Sequence, residues 1–298
     1  MSWRILAWIA GGIVVIMLVG SLRLAVATLK SLSKRDGRQG WRALRLLLSL
    51  FGVLLGTYSL WFAWPMLTGR RPMPKNPALA RALGEPITRS GLSIMVVVAH
   101  PDDAEWYCGG TVARALGAGS RVTVVVATDG ERGRGAPDPE TLSVIRRKEQ
   151  EEAARIMGYT RVVFLGIPDR GVSRARDLKA RVAALWDEVK PDAVLTFDAA
   201  FPARPYIHPD HQAVGRAVLK LLAEKRVQPA VLYLFSSSSP DAAVDITTFV
   251  ERKLAALQAH RTQFGMTGGR GAIEQNHASG KAVNFTYAEL FRVVSPLP

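Results

Sequence analysis

The sequence predicts a three-layer α/β domain with a mostly parallel sheet, preceded by two membrane-crossing helices. Three observations carry that expectation. From residue 92 onward, short β-branched runs alternate with helical stretches, which is the pattern of βαβ units. Ahead of them stand two long apolar runs. Two polar clusters, Ala99-His100-Pro101-Asp102-Asp103 and His208-Pro209-Asp210-His211, follow strand-like runs and hold three of the chain's five histidines.

The apolar runs come first in the chain. Residues 5–22 are 18 residues without a charge, and residues 46–67 are another 22. At 1.5 Å rise per residue, roughly 20 apolar residues cross a ~30 Å hydrocarbon core. Tyr58, Trp61 and Trp64 near the end of the second run are of the interfacial type. Arg4 before the first run also fits a secretory leader, but the run is longer than the apolar core of one and no small-x-small cleavage site follows. The expected organisation is a membrane anchor over 1–68, a linker rich in proline and basic residues over 69–90, and the α/β domain over 91–298. Six basic residues between Lys30 and Arg45 lean slightly toward a cytoplasmic hairpin with the α/β domain extracytoplasmic, against Arg4, Arg70, Arg71 and Lys75 on the other side.

Charge follows the same division. Of the net +14, residues 1–75 carry 11 Lys or Arg against the single acid Asp36, while the remainder has 28 basic and 24 acidic residues. The excess flanks the apolar runs, where anionic headgroups attract it. The α/β domain has no basic stripe of the kind nucleic-acid binding needs, so that class is set aside. With Cys108 as the one cysteine, an internal disulfide is excluded.

In order, residues 94–99 read as a strand buried on both faces, ending at the first cluster. Gly109-Gly110-Thr111 starts a helix through Leu116, with Gly117 and Gly119 as stops. Residues 121–127 form the second strand, running into Thr128-Asp129-Gly130-Glu131. Residues 146–157 are helical, with Gly158 as C-terminal cap. A third strand at 162–165 leads into Gly166-Ile167-Pro168-Asp169. A helix at 178–189 stops before Pro191. Then come a strand at 193–197, a helix at 212–225, a strand at 230–235 and a last helix at 249–258. The first strand is followed by His-Pro-Asp-Asp and not by Gly-x-Gly-x-x-Gly, which removes a dinucleotide-binding domain.

A lone Asp after Pro is ordinarily a turn former, and a lone His an ordinary polar group. Two His-x-x-(Asp/His) groups after two strands are a different matter. A catalytic zinc site has three protein ligands and one open position. His100 and Asp103 can reach one ion, and His208 and His211 have the same spacing, so one of these histidines can bind metal while the other faces substrate. Five candidates for three ligand positions leave two groups for acid–base work.

The ordered set Ala99-His100-Pro101-Asp102-Asp103-Ala104-Glu105, Gly109-Gly110 and His208-Pro209-Asp210-His211 resembles the PIG-L/LmbE family of zinc-dependent N-acetylglucosamine deacetylases. The resemblance extends to Thr128-Asp129-Gly130-Glu131, Arg146 and Glu149, Gly166-Ile167-Pro168-Asp169, and His260-Arg261-Thr262-Gln263, and covers residues 92–290. It departs at Ala104, where some relatives carry Glu directly after the paired aspartates. It implies a Rossmann-like, LmbE-like fold and a zinc-dependent N-deacetylase. His100, Asp103 and His211 would hold Zn2+, although Fe2+ and Co2+ suit the same donors. Asp102 would be the general base, and His208 the acid for the departing amine or a partner of the oxyanion. Asp210 would orient His208 or cap a helix, and Tyr206 would polarise the carbonyl. Arg146 and Asp169 would hold the sugar. Glu149 and His260 are expected to support the site, while His277 and Cys108 are expected to take no part in the chemistry. The expected substrate is an N-acetylated amino sugar, lipid- or glycoconjugate-linked because of the anchor. The alternatives are an amidase acting on a thiol or amino-acid conjugate, and a non-catalytic membrane-tethered glycan-binding protein.

Overall fold

A computed structural model describes residues 19–20, 23, 26–27, 45–58, 72–136, 138–203, 207–224, 226–227 and 230–294. The chain divides into two units, residues 1–71 with 204–206, and residues 72–203 with 207–298. In the first unit the longest described stretch is a helix over 45–58. Among the described residues no helix is long and apolar enough to cross a membrane. This corrects the expectation of two transmembrane helices, and with it the membrane localisation and the extracytoplasmic lean. Most of the run 5–22, and residues 59–67 of the second run, lie outside the described residues.

The second unit is built on a seven-stranded mixed sheet. Its strands are β1 (Ser93–Val98), β2 (Arg121–Val126), β3 (Arg161–Phe164), β4 (Ala193–Phe197), β5 (Val231–Phe235), β6 (Ala242–Asp245) and β7 (Ala288–Val294), in the order β3-β2-β1-β4-β5-β7-β6. The first five are parallel, and β7 adds antiparallel to β5 and to β6. The runs SIMVVV and RVTVVV make β1 and β2, and all but the first residue of each is buried. A strand covered on both faces is apolar along its whole length, which is why these two stand out in the sequence.

The helices are α1 (Pro77–Gly84), α2 (Asp103–Gly117), α3 (Pro139–Met157), α4 (Leu178–Val189), α5 (Pro209–Ala223), α6 (Val250–Ala259), α7 (Arg261–Phe264) and α8 (Arg270–Ala282). Several start earlier than the sequence suggested. Helix α3 begins at Pro139, where Asp138 accepts the Thr141 N–H at 2.8 Å and proline occupies the first turn. Helix α2 begins at Asp103, inside the first polar cluster, rather than at Gly109. The stretch expected as a linker holds α1, and Gly84 at its end meets the backbone of Ala243 in β6.

Right-handed crossovers carry β1 to β2 to β3 toward one edge and then β4 to β5 toward the other. Helices α2 and α3 therefore cover one face, and α4 and α5 the other. The direction in which strands are added reverses between the parallel neighbours β1 and β4, a topological switch point where loops diverge and leave a crevice. Both polar clusters follow these two strands.

On the α2 face, a β-carbon added at Gly110 would come 2.6 Å from the Ile246 side chain, so the Gly-Gly pair is a close-approach surface. Beside it Lys253 of α6 is fully buried and donates to Glu289 Oε1 at 2.6 Å, while Glu289 also accepts the Gly110 and Thr111 N–H groups. One buried ion pair thus ties α2, α6 and β7 together.

At the end of β4, Asp198 accepts from Arg292 Nε at 2.6 Å and Nη2 at 2.9 Å, from Ser237 Oγ at 2.7 Å, and from the N–H groups of Ala200 and Phe201. Burial opposes its ionisation, yet these donors hold its carboxyl below the usual carboxylate range. A depressed acid gives stability that is complete above its unfolded pKa of about 3.9 and lost as pH falls through the lower folded value. Asp198→Asn is expected to lower stability at pH 7 by about 3 kcal/mol. Urea unfolding should show that gap shrinking at pH 3, and a gap of equal size at both pH values would refute the assignment.

Candidate metal and catalytic site

Each side chain in the crevice is placed by a strand end or a helix start. Asp103 is the first residue of α2, and its Oδ2 accepts the N–H groups of His100 at 2.8 Å and Ala99 at 3.2 Å. The carboxylate thereby folds the chain back at the end of β1 and leaves Oδ1 facing His211 Nε2 at 3.2 Å. His100 Nδ1 lies 3.5 Å from Asp103 Oδ2 and 3.3 Å from His211 Nε2. His211 stacks on Phe197, the last residue of β4, at 3.9 Å between ring centroids. His100, Asp103 and His211 are all buried.

Donor atoms bound to one tetrahedral zinc at its usual bond lengths of about 2.0–2.1 Å stand roughly 3.3 Å apart. Two separations match that edge, His211 Nε2 to Asp103 Oδ1 at 3.2 Å and to His100 Nδ1 at 3.3 Å, while the 3.5 Å contact of His100 Nδ1 is to the other carboxylate oxygen, Oδ2. The residues present therefore fit a small divalent ion. Two overlapping sets, His100 with His208 and His211, and His100 with Asp169 and Asp210, also have ligand atoms within 4.8 Å of one another. Members of both sets hold backbone groups, as Asp103 Oδ2 does: in the first set His208 Nδ1 accepts the Asp210 N–H at 3.3 Å. Asp169 Oδ2 accepts the Arg132 N–H at 3.0 Å, and Asp210 accepts the N–H groups of Arg170 at 2.6 Å and Val172 at 3.2 Å.

Asp169 was expected to hold the sugar. The structure buries it with Oδ1 at 3.2 Å from His100 Nε2, and Asp210 Oδ2 stands 3.6 Å from the same nitrogen. A proton on Nε2 satisfies both carboxylates and leaves Nδ1 as a lone-pair donor on the Asp103 side. Burial disfavours the charged imidazole, but contacts with Asp103, Asp169 and Asp210 carry the His100 pKa well above its ordinary value. Asp103 moves the opposite way: burial resists, and His211 and His100 hold it far below the carboxylate range. Asp169 is lowered to about 2, against its burial, by His100.

Asp102 sits at φ 97° and ψ −24°, a conformation that residues with a β-carbon avoid. Burial raises its carboxyl to about 6 despite the opposing charge of Arg146. Arg146, expected to hold the sugar, is buried. Its Nη2 donates to Asp102 Oδ2 at 3.0 Å and to the Pro101 carbonyl, and its Nη1 donates to the Gly130 carbonyl at 2.8 Å. Gly130, at φ +66°, lies so close that any β-carbon would fall on the guanidinium.

His208 is half-buried and is itself the N-cap of α5, its Nδ1 accepting the Asp210 N–H at 3.3 Å. The contact that orients it thus comes from the Asp210 backbone, while the Asp210 carboxylate serves the loop after β3 and His100. With Nδ1 accepting, the ring proton sits on Nε2. Burial and the neighbouring His100 and His211 lower its pKa, which favours the neutral ring. Tyr206 lies outside the described residues.

Other motif residues hold the loops. Thr128 Oγ1 donates to the Ala99 carbonyl, Asp129 takes Ser143 and Arg147, and Glu131 accepts the Asp169 N–H at 2.7 Å. Glu149 accepts from the Thr262 N–H and hydroxyl at the start of α7. His277 rests against Tyr287. Cys108 is buried, and burial raises its thiol pKa well above the ordinary value. Gln150 is a residue that sequence reading missed: it is fully buried and its Oε1 accepts the Asp102 N–H at 3.1 Å. Its spacing of i+4 from Arg146 on one helix was the available signal.

The chain has relatives in sequence and in fold. The model of the family described as PIG-L, GlcNAc-PI de-N-acetylase, matches residues 95–222. The Bacillus cereus protein named Probable N-acetyl-alpha-D-glucosaminyl L-malate deacetylase 2 is 31% identical over 204 residues, covering 63% of this chain and 89% of that protein. The chain belongs to the PIG-L family. Another relative, the 1D-myo-inositol 2-acetamido-2-deoxy-alpha-D-glucopyranoside deacetylase of Saccharomonospora viridis, is 31% identical over 229 residues, 57% of this chain and 84% of its own. Among solved structures, the N,N'-diacetylchitobiose deacetylase from Pyrococcus horikoshii superposes with a TM-score of 0.63 at 26% identity, covering 68% of this chain and 84% of that one. As a PIG-L protein the chain is a hydrolytic N-deacetylase, which removes the non-catalytic glycan-binding alternative.

Because ligand nitrogens must be deprotonated, protons compete with metal at His100. Titration with zinc is expected to show one ion per chain, with affinity falling as pH drops from 8 to 6. Asp169→Ala should weaken it about 10- to 100-fold by freeing the His100 tautomer. Affinity unchanged in that variant would show that Asp169 does not orient the ligand.

Proposed function

We propose that this PIG-L protein removes the N-acetyl group from an N-acetylglucosamine-type glycoside, with His100, Asp103 and His211 holding a zinc ion. The single observation that carries the proposal is His211 Nε2 standing 3.3 Å from His100 Nδ1 and 3.2 Å from Asp103 Oδ1, with the Asp102 carboxyl next to them on the chain. A divalent ion bound there supplies Lewis-acid polarisation of the amide carbonyl and of the attacking water. Relatives named for glucosaminyl-malate, glucosaminyl-inositol and chitobiose deacetylation support the sugar as the recognised part. The lipid-linked form of the substrate rested on a membrane anchor and loses its argument with it.

The chain's own groups account for the protons. Asp102, with a carboxyl near 6, accepts a proton from water as the oxygen attacks the carbonyl carbon. His208 presents Nε2–H while Nδ1 is held, and this neutral donor stabilises the negative charge growing on the carbonyl oxygen. When the C–N bond breaks, the nitrogen needs a proton to leave as an amine. Asp102, protonated by the first step, returns it. The products are acetate and the free amino sugar.

Purified enzyme of measured metal content should release acetate from N-acetylglucosaminyl glycosides. Asp102→Ala should lower kcat about 10²- to 10⁴-fold while zinc stays bound. Full turnover in that variant would remove Asp102 from the reaction, and no acetate from any such glycoside would remove the substrate class.

A further inference from the structure

Behind the crevice lies a group of buried polar side chains that the reaction as derived does not use. Glu105, Gln150 and His260 are each fully buried. Glu105 Oε1 accepts from Gln150 Nε2 at 2.9 Å and from the Tyr159 hydroxyl at 2.7 Å, and Glu105 Oε2 meets His260 Nε2 at 3.2 Å. His260 Nδ1 has no hydrogen-bond partner among the described residues. A buried imidazole with one orphaned nitrogen is costly, so the ring is retained for its contact with Glu105.

The group leads to one atom. Gln150 has a single amide plane, and with Nε2 claimed by Glu105 its Oε1 must face the Asp102 N–H. A flipped amide would place NH2 against that N–H and oxygen against the carboxylate, two repulsions at once. One turn earlier on α3, Arg146 grips the Asp102 carboxylate. Two residues four apart on one helix face therefore hold the same aspartate at both ends, backbone and side chain, in a left-handed conformation it would not adopt alone.

We propose that Gln150, its amide orientation set by Glu105 and His260, is a positioning residue for Asp102: it holds the backbone of the strained turn so that the carboxylate is aimed at the reacting water. The inference rests on Asp102 being the general base, and it goes beyond that role to name what aims it. Misplacement of a reacting group by about 1 Å costs on the order of 100-fold in rate.

Gln150→Leu, close in size but without the acceptor, should lose about 10- to 100-fold in kcat on an N-acetylglucosaminyl glycoside. KM should change less than about three-fold, and zinc content should stay at the wild-type level. In an Asp102→Ala background the same substitution should leave the residual rate unchanged within about two-fold, because its route is then gone. Full kcat in folded, metal-loaded Gln150→Leu, or a further ten-fold loss in the Asp102→Ala background, would overturn the inference. Should Gln150→Leu fail to fold, Gln150→Met decides in its place, with a kcat loss of about ten-fold or more supporting and none refuting. An inactive wild-type enzyme would sink the function itself, an outcome distinct from any of these.

Discussion

The Asp103 carboxylate is the point on which the site depends. It ends β1 by accepting two backbone N–H groups, begins α2, and still offers an oxygen to His211 from the far side of the switch point. A carboxylate almost excluded from water survives as an ion only with such a full set of donors. Those donors come from two separate places in the chain, residues 99–100 and His211. The turn, the helix start and the meeting of the two histidine clusters are thus one electrostatic arrangement.

That arrangement needs the sheet order. Because β1 and β4 are neighbours whose crossovers leave in opposite directions, their following loops part and their ends face one another. The loops after β2 and β3 close in from one side. Glu131 holds the Asp169 N–H, Asp169 holds the Arg132 N–H, and the Asp169 carboxylate turns His100 so that Nδ1 faces inward. Motif residues that look catalytic by conspicuousness are partly the struts of this second layer.

The legible part of the sequence was whatever is buried on both faces or clustered. The five parallel strands announced themselves as short apolar runs, and the two His clusters stood where an α/β sheet puts its chemistry. Strands β6 and β7 did not, because AAVD is short and AELFRVV alternates at a mixed edge, and α8 did not because RGAIEQNHASGKA is polar along most of its length. The apolar runs before residue 68 were read from length, interfacial aromatics and flanking charge, and among the described residues no helix is long and apolar enough to match that reading. Arg146 and Asp169 carry charges that suggest a ligand, and composition cannot say that each charge is already met inside the protein. Glu105 drew notice only as a displaced family residue, although its neighbours Gln150 and His260 are what give it work.

The crevice gathers Asp102, Asp103, Asp169 and Asp210 around two buried imidazoles, with Arg146 beneath as the permanent cation. Such a set repels itself unless further positive charge is supplied, either by protons on histidine or by a metal. The raised pKa of His100 is the signature of the first solution, and the spacing of the donor atoms suits the second. The framework must hold the carboxylates together under either condition. Buried ties away from the crevice do so: Lys253 with Glu289 across α2, α6 and β7, and Asp198 with Arg292 beside β4. Rigidity placed there lets the strained turn at Asp102 persist, since the surrounding structure leaves that residue no alternative conformation.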